Sequence, residues 1–281
     1  MDKRPVGIFD SGLGGLTCVR EFGELDSSED IVFFGDAARV PYGTRSRETI
    51  IGYALEDITF LLSQNVKMII AACGTVSSNL PLDMLSNLPV PYVNVITPAA
   101  KAAAAATKNG KIGIIGTSAT IASGAFAKEL AAIDSSISCV GKACPLFVPL
   151  VESGYFGPDC DAAKSVARDY LLPLKEKGID TLLLGCTHYP LLADVIAEIM
   201  GDGVTLISAG LETARAALEL ISQKGLDNPD GGAWQLYSSD DPQNFEHLAE
   251  LFLGKKLEKP VKRAVVSGVE LAPCLDKGRK G

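Results

Sequence analysis

The chain has 281 residues, 47% of them apolar, with 28 glycines, 15 prolines and a formal net charge of -8. That size and composition fit one large or two ordinary folded domains and argue against disorder. The acidic balance gives no support for a nucleic-acid partner, and no apolar run approaches the ~20 residues of a membrane span. The seven cysteines are an odd number and scattered, which reads as reduced thiols rather than a disulfide framework. Met1 to Pro5 leads directly into a strand, so no signal peptide is expected and the expected compartment is the cytoplasm.

Val6 to Phe9 reads as a short buried strand, followed by the tight turn Asp10-Ser11-Gly12-Leu13-Gly14-Gly15 and a helix to about Leu25. Glycines at this turn allow close backbone approach, and Asp10 and Ser11 are suited to cap the helix. The spacing is not that of a dinucleotide fingerprint, and an acid stands where a pyrophosphate would be repelled. A second strand, Asp30 to Gly35, runs into a loop carrying Pro41-Tyr42-Gly43, in which the Tyr42 hydroxyl is placed to face a ligand. A helix from about Ser46 to Leu62 follows on its three- and four-residue apolar spacing.

Lys67 to Ala72 is the third strand, and Cys73-Gly74-Thr75 turns from it into another helix. A thiol beside helix-start amides has its thiolate stabilised, although cysteine is also a common core residue. Val90 to Ile96 is the fourth strand, and a helical segment follows from Pro98 to Thr107.

The second half repeats the plan. Lys111 to Ile115 is a strand, and Gly116-Thr117-Ser118-Ala119-Thr120 turns into a helix, with hydroxyls in place of the earlier acid. Ile137 to Gly141 is a further strand, and Glu152 stands in the otherwise apolar Phe147 to Val151 stretch, facing either solvent or a site. The strand Ile179 to Leu184 delivers Gly185-Cys186-Thr187-His188-Tyr189-Pro190. Both cysteine turns thus stand at strand ends, where ligands bind in open α/β sheets.

The expected fold is α/β: two pseudo-symmetric three-layer α/β domains with mostly parallel sheets and the active site in the cleft between them. Val204 to Ile207, Gly210 to Gln223, Trp234 to Tyr237 and Asn244 to Leu253 supply the last elements. The expected division is 1–97 with 209–254 as a first, discontinuous domain and 98–208 as a second. The basic segment 255–281 is expected as a solvated, partly frayed tail.

Three chemistries can use these thiols. A zinc site wants three or four ligands, and only Cys186, His188 and a distant partner offer themselves. A thiol hydrolase wants a cysteine, a histidine and an orienting group, which Cys73, His188 and Asp10 could assemble. The third sets one thiol on each face of a carbon acid, so that one thiolate takes a proton while the opposite thiol gives one.

The motifs GIFDSGLGG at Gly7 to Gly15, PYG at Pro41 to Gly43, the GT and AT pairs within Gly116 to Thr120, VPLVE at Val148 to Glu152 and GCTHYPLL at Gly185 to Leu192 resemble those of the cofactor-independent aspartate/glutamate racemases. The resemblance runs from about Pro5 to Gly254 and is nearest to the glutamate racemases. It implies interconversion of L-glutamate and D-glutamate without a cofactor or metal, supply of D-glutamate for peptidoglycan, a homodimer, and no nucleic-acid or membrane partner. It assigns Cys73 and Cys186 as the two acid/bases, acting on D- and L-glutamate respectively. Asp10 is implied as the polar partner on the Cys73 side and His188 on the Cys186 side, with Glu152 behind it. Ser11, Pro41, Tyr42, Gly43, Gly74, Thr75, Thr187, Thr117 and Thr120 fall at substrate-contacting positions.

Two departures stand out. The family usually follows the first cysteine with Asn-Thr, where this chain has Gly74-Thr75, and Ser208 stands where related chains often carry an aspartate. Losing a hydrogen bond to a charged group costs roughly 1.5–3 kcal/mol, which a backbone amide or a water could cover. Neither departure removes a proton-transfer group. The competing readings are a racemase acting on aspartate and a dicarboxylate-binding protein without turnover.

Overall fold

The computed structural model describes residues 1–276. Ten strands run β1 Val6–Asp10, β2 Ile31–Gly35, β3 Met68–Ala71, β4 Tyr92–Asn94, β5 Lys111–Gly116, β6 Ser138–Ala143, β7 Thr181–Leu184, β8 Thr205–Ser208, β9 Trp234–Ser238 and β10 Lys262–Arg263. The helices between them are α1 Leu16–Leu25, α2 Arg47–Ser63, α3 Gly74–Asn79, α4 Ile96–Ala106, α5 Ser118–Ser123 and α6 Ala125–Ile133. They continue as α7 Phe147–Glu152, α8 Asp161–Lys175, α9 Ala193–Met200, α10 Ala209–Gln223, α11 Pro242–Leu253 and α12 Pro273–Asp276.

Two sheets form, one of six strands in the order β10-β9-β2-β1-β3-β4 and one of four in the order β6-β5-β7-β8. Every pairing in both is parallel. Strands β1, β2, β3 and β7 are buried along their whole length, as a parallel sheet covered by helices on both faces requires. Their continuous Val, Ile, Leu and Phe runs are the sequence expression of that burial.

The topology places the site. In the larger sheet the chain goes from β1 outward to β2, then returns to set β3 on the other side of β1. The smaller sheet does the same with β5, β6 and β7. Each therefore has a switch point, between β1 and β3 and between β5 and β7, where a crevice opens at the carboxyl ends of the strands. The Asp10 and Cys73 turns occupy the first crevice, and the Thr117 and Cys186 turns the second.

One apolar core joins the sheets: Leu13, Leu16 and Ile70 from the first unit pack in the same cluster as Ile115, Cys186 and Tyr189 from the second.

The expectation for the C-terminal segment needs correction. Lys262–Arg263 adds β10 to the sheet edge in register with Tyr237 and Ser238. Val261, Ala264, Val266 and Leu275 are buried, the last three against the α2 side of the first sheet. Basic residues dominate the composition there, but these apolar residues find a core face, and burial outweighs the cost of ordering the chain. Residues 277–281 lie outside the described residues.

Candidate active site

The first crevice is built by Asp10 and Cys73. Asp10 ends β1 with no exposure to solvent, and its Oδ2 accepts the Gly12 amide at 3.0 Å. It holds the turn rather than α1, whose N-cap is Gly15 with no side-chain bond. Burial raises the Asp10 pKa, opposed by the nearby His188 charge and by the amides of Gly12 and Gly15. Cys73 is the N-cap of α3, and its Sγ lies 3.4 Å from the Ser11 hydroxyl.

The thiolate stabilisation expected from the start of α3 does not prevail. Burial pushes the Cys73 thiol up to about 12, the Asp10 carboxylate adds to this, and the Ser11 hydroxyl and local amides offset only part. A short helix offers partial charges, and they lose to desolvation in so closed a crevice.

The second crevice carries Cys186 and His188 on the turn after β7. Cys186 Sγ lies 3.8 Å from His188 Nδ1, and His188 Nε2 lies 3.0 Å from Glu152 Oε1. Burial alone would lower the His188 pKa, but the two partners on either side of the ring raise it to about 10. Glu152 is thus aimed into the site from the end of α7. The ring of Phe252 from α11 meets the imidazole edge-on, with centroids 5.5 Å apart.

The 186–189 turn is tied down on both sides. Thr17 Oγ1 donates to the Thr187 carbonyl at 2.8 Å, Thr187 Oγ1 donates to Asp10 Oδ1 at 3.4 Å, and Tyr189 Oη donates to the Cys144 carbonyl at 3.0 Å. Gly14 lets it approach: a Cβ there would stand 2.2 Å from Thr187 Oγ1 and 2.5 Å from the His188 ring.

The two crevices open onto one cavity of about 380 Å³, a size suited to a small polar ligand. Of the expected site residues, Ser11, Pro41, Tyr42, Gly43, Cys73, Gly74, Thr75, Thr117, Glu152, Cys186, Thr187 and His188 line it. Asp10 and Thr120 stand behind the wall. Asp10 acts through Gly12 and Thr187, and Thr120 through a hydroxyl chain in which Thr75 Oγ1 and Thr120 Oγ1 each lie 2.9 Å from Thr117 Oγ1. That chain joins α3 to α5, so the two units share hydrogen bonds at the cavity.

The Tyr42 hydroxyl does not face the cavity. It bonds Asp36, and lies 3.2 Å from Asp57 Oδ2, while Arg39 pairs with Asp36 at 2.5 Å, with Asp57 at 2.9 Å and with Glu56. Burial beside those two aspartates raises the tyrosine pKa. The side chain therefore anchors the 41–44 loop from behind, and the loop offers the cavity its backbone and Gly43. The carboxylates come from the turn after β2 and from α2, about twenty residues further along, and no local pattern announces such a pairing.

Sequence reasoning also missed Val40, Cys144, Pro145, Val148 and Pro149, which close the apolar part of the cavity. One signal was available. Cys144 follows β6 directly, at the same kind of strand end as the other two thiols, but the expected strand stopped at Gly141 and hid the equivalence.

Parallel α/β sheets with paired switch points thus deliver one thiol each to a shared cavity. The Asp/Glu/Hydantoin racemase family profile matches residues 17–217. The glutamate racemase of Geobacter metallireducens is 44% identical over 92% of this chain and 95% of its own. The crystal structure of Francisella tularensis glutamate racemase in complex with D-glutamate superposes with a TM-score of 0.87 at 34% identity, covering 96% of this chain and all of that one. The Thermus thermophilus glutamate racemase in complex with beta-chloro-D-alanine gives 0.85 at 39% identity, covering 96% of this chain and 100% of that one. The chain belongs to the Asp/Glu/hydantoin racemase family, among its glutamate racemases.

Proposed function

We propose that the cavity interconverts L-glutamate and D-glutamate by proton transfer between its two thiols and the α-carbon. The observation that carries this reading is the delivery of Cys73 and Cys186 from separate sheets to one 380 Å³ cavity. In the L to D direction the Cys186 thiolate takes the α-proton, leaving a carbanion whose charge the carboxylate shares. The Cys73 thiol then gives its proton to the opposite face, so the cycle ends with Cys186 as thiol and Cys73 as thiolate. The D to L direction runs the same steps backward, and solvent exchange restores either form.

The surroundings suit these roles. The imidazolium of His188, held by Glu152, is placed to stabilise a Cys186 thiolate. Burial beside Asp10 keeps Cys73 protonated and ready to donate. Hydroxyls of Ser11, Thr75 and Thr117 and the backbone of the 41–44 loop are the donors for the substrate's carboxylates. Such preorganised donors, in a cavity with water displaced, supply much of the barrier reduction for so weak a carbon acid. Every proton moves to or from a side chain of the chain itself.

D-Glutamate made in this way would serve peptidoglycan synthesis. Among the described residues no helix is long and apolar enough to cross a membrane. Work in the cytoplasm and assembly as a homodimer belong to this reading on the family likeness. The test is circular dichroism and proton NMR of L- and D-glutamate, with aspartate beside them, in deuterium oxide. Optical change with α-deuterium uptake on glutamate is the expected result. Neither signal at high enzyme concentration would overturn the reading.

A further inference from the structure

Residues 40–44 wall one side of the cavity, yet the side-chain bonds that anchor this stretch lie behind it, toward the end of the chain. Two ties can be traced. Ser239 Oγ accepts the Ala38 amide at 2.9 Å, and Ser239 directly follows β9, whose edge β10 covers. Arg39 pairs with Asp36, Asp57 and Glu56, and the first two of these carboxylates hold the Tyr42 hydroxyl.

Glu56 differs from the two aspartates in where its second oxygen goes. Asp36 and Asp57 are fully buried and turn inward to Tyr42. One oxygen of Glu56 accepts from Arg39 Nη1, and the other accepts the Gly268 amide at 3.4 Å. About one turn further along α2, Thr59 Oγ1 accepts the Ala272 amide at 3.2 Å. The segment that brings these amides is held by burial: Val266 and Leu275 pack in the same apolar cluster as Tyr42, Leu55 and Ile58. Glu56 therefore joins the end of the chain to the guanidinium that fixes the loop. A glutamate bound at one oxygen keeps much of its rotamer freedom, and a second donor restrains it.

We propose that Glu56 is a positioning residue for substrate binding, coupling the C-terminal segment 264–275 to the 40–44 loop through Arg39. The inference rests on the racemase reading above, in which that loop offers its backbone to the substrate's carboxylates. Releasing the segment frees Glu56 to turn toward solvent, and the loop then holds substrate less well. The thiols stand on the turns after β3 and β7, outside this chain of hydrogen bonds, so proton transfer should survive. A loss of that kind raises KM with kcat nearly unchanged.

The experiment measures KM and kcat for L-glutamate by circular dichroism in four proteins. They are the full chain, Glu56→Ala, a chain ending at Ser267, and the two changes combined. Each single change should raise KM roughly 3- to 10-fold, the worth of about one hydrogen bond, with kcat within about 2-fold. The combined variant should match Glu56→Ala alone, because the segment then has nothing left to act through. An unchanged KM in either single variant, or effects that multiply in the combined one, overturns the proposal. A lower melting temperature with KM unmoved is the mark of a merely structural role and overturns it as well. If the shortened chain does not fold, Gly268→Pro takes its place. Proline has no amide hydrogen and cannot adopt the φ of +74° found there. The same rise in KM is expected, and its absence overturns the proposal equally. Absence of racemisation by the full chain would instead refute the racemase reading itself.

Discussion

The two halves of the cavity share a topology but not an electrostatic setting. On the Cys186 side an imidazole lies between the thiol and the Glu152 carboxylate and is held cationic, its pKa raised to about 10. On the Cys73 side the neighbours are a hydroxyl and the buried Asp10, and the thiol is pushed up to about 12. The same strand-turn-helix unit has been given a cation in one copy and an anion in the other. Layout brings the two thiols together, while the residues behind them give each its own electrostatic setting.

The largest effect should come from removing either thiol. Cys73→Ser and Cys186→Ser should each lose at least about 10³-fold in racemisation, within the range of an acid/base deletion, read by circular dichroism on both enantiomers. Equal survival of racemisation in either variant would break the pairing of the two sides.

His188→Asn should come next, at about 10²-fold in the rate of L-glutamate turnover, because Cys186 then loses its cation. A pH signature accompanies it. The folded pKa of His188 lies above its ordinary value of 6.5, so its protonated form stabilises the fold fully below that value, and the contribution is lost as pH rises toward about 10. Wild-type melting temperature should fall across that window, and His188→Asn should flatten the fall; parallel slopes would contradict the assignment.

Glu152→Gln should cost about 10-fold, less than removing His188, since the ring keeps its thiol partner. Without the carboxylate His188 gives up its proton at lower pH, so the alkaline limb of the L-glutamate rate profile should move down. An unmoved limb would show that Glu152 does not tune the Cys186 side.

Tyr42→Phe is the smallest of these changes. It removes the hydroxyl bonded to Asp36 and Asp57, leaving buried carboxylate oxygens short of a donor. The expected result is a loss of roughly 1–3 kcal/mol in stability by chemical denaturation, with KM rising more than kcat falls as the 41–44 loop loosens.

Much of this comparison was legible from sequence because it depends on local pattern. Continuous apolar runs ending in Asp10, Cys73, Thr117 and Cys186 announced the strands and the ends that gather at the cavity, and the repeated order announced the paired units. Pairing across the chain was not legible. The Asp36–Arg39–Asp57 cluster behind Tyr42 and the backing of Asp10 by Thr187 join residues with no periodic relation. The packing of 261–275 escaped notice because the segment's basic composition masked a few well-placed apolar side chains. Gly74 showed the opposite limit: the sequence revealed a missing side chain, and only the structure revealed the Gly185 carbonyl oxygen 2.1 Å from where its Cβ would stand.

The most direct test is the protonation of His188, and the chain has only two histidines. With 15N-labelled histidine and His247 replaced by glutamine, one imidazole remains to be followed by NMR. The contrast between the two sides requires both ring nitrogens to carry protons at pH 8, with titration only near pH 10. A neutral ring at pH 8 would contradict it, since the Cys186 side would then have no cation to set it apart from the Cys73 side.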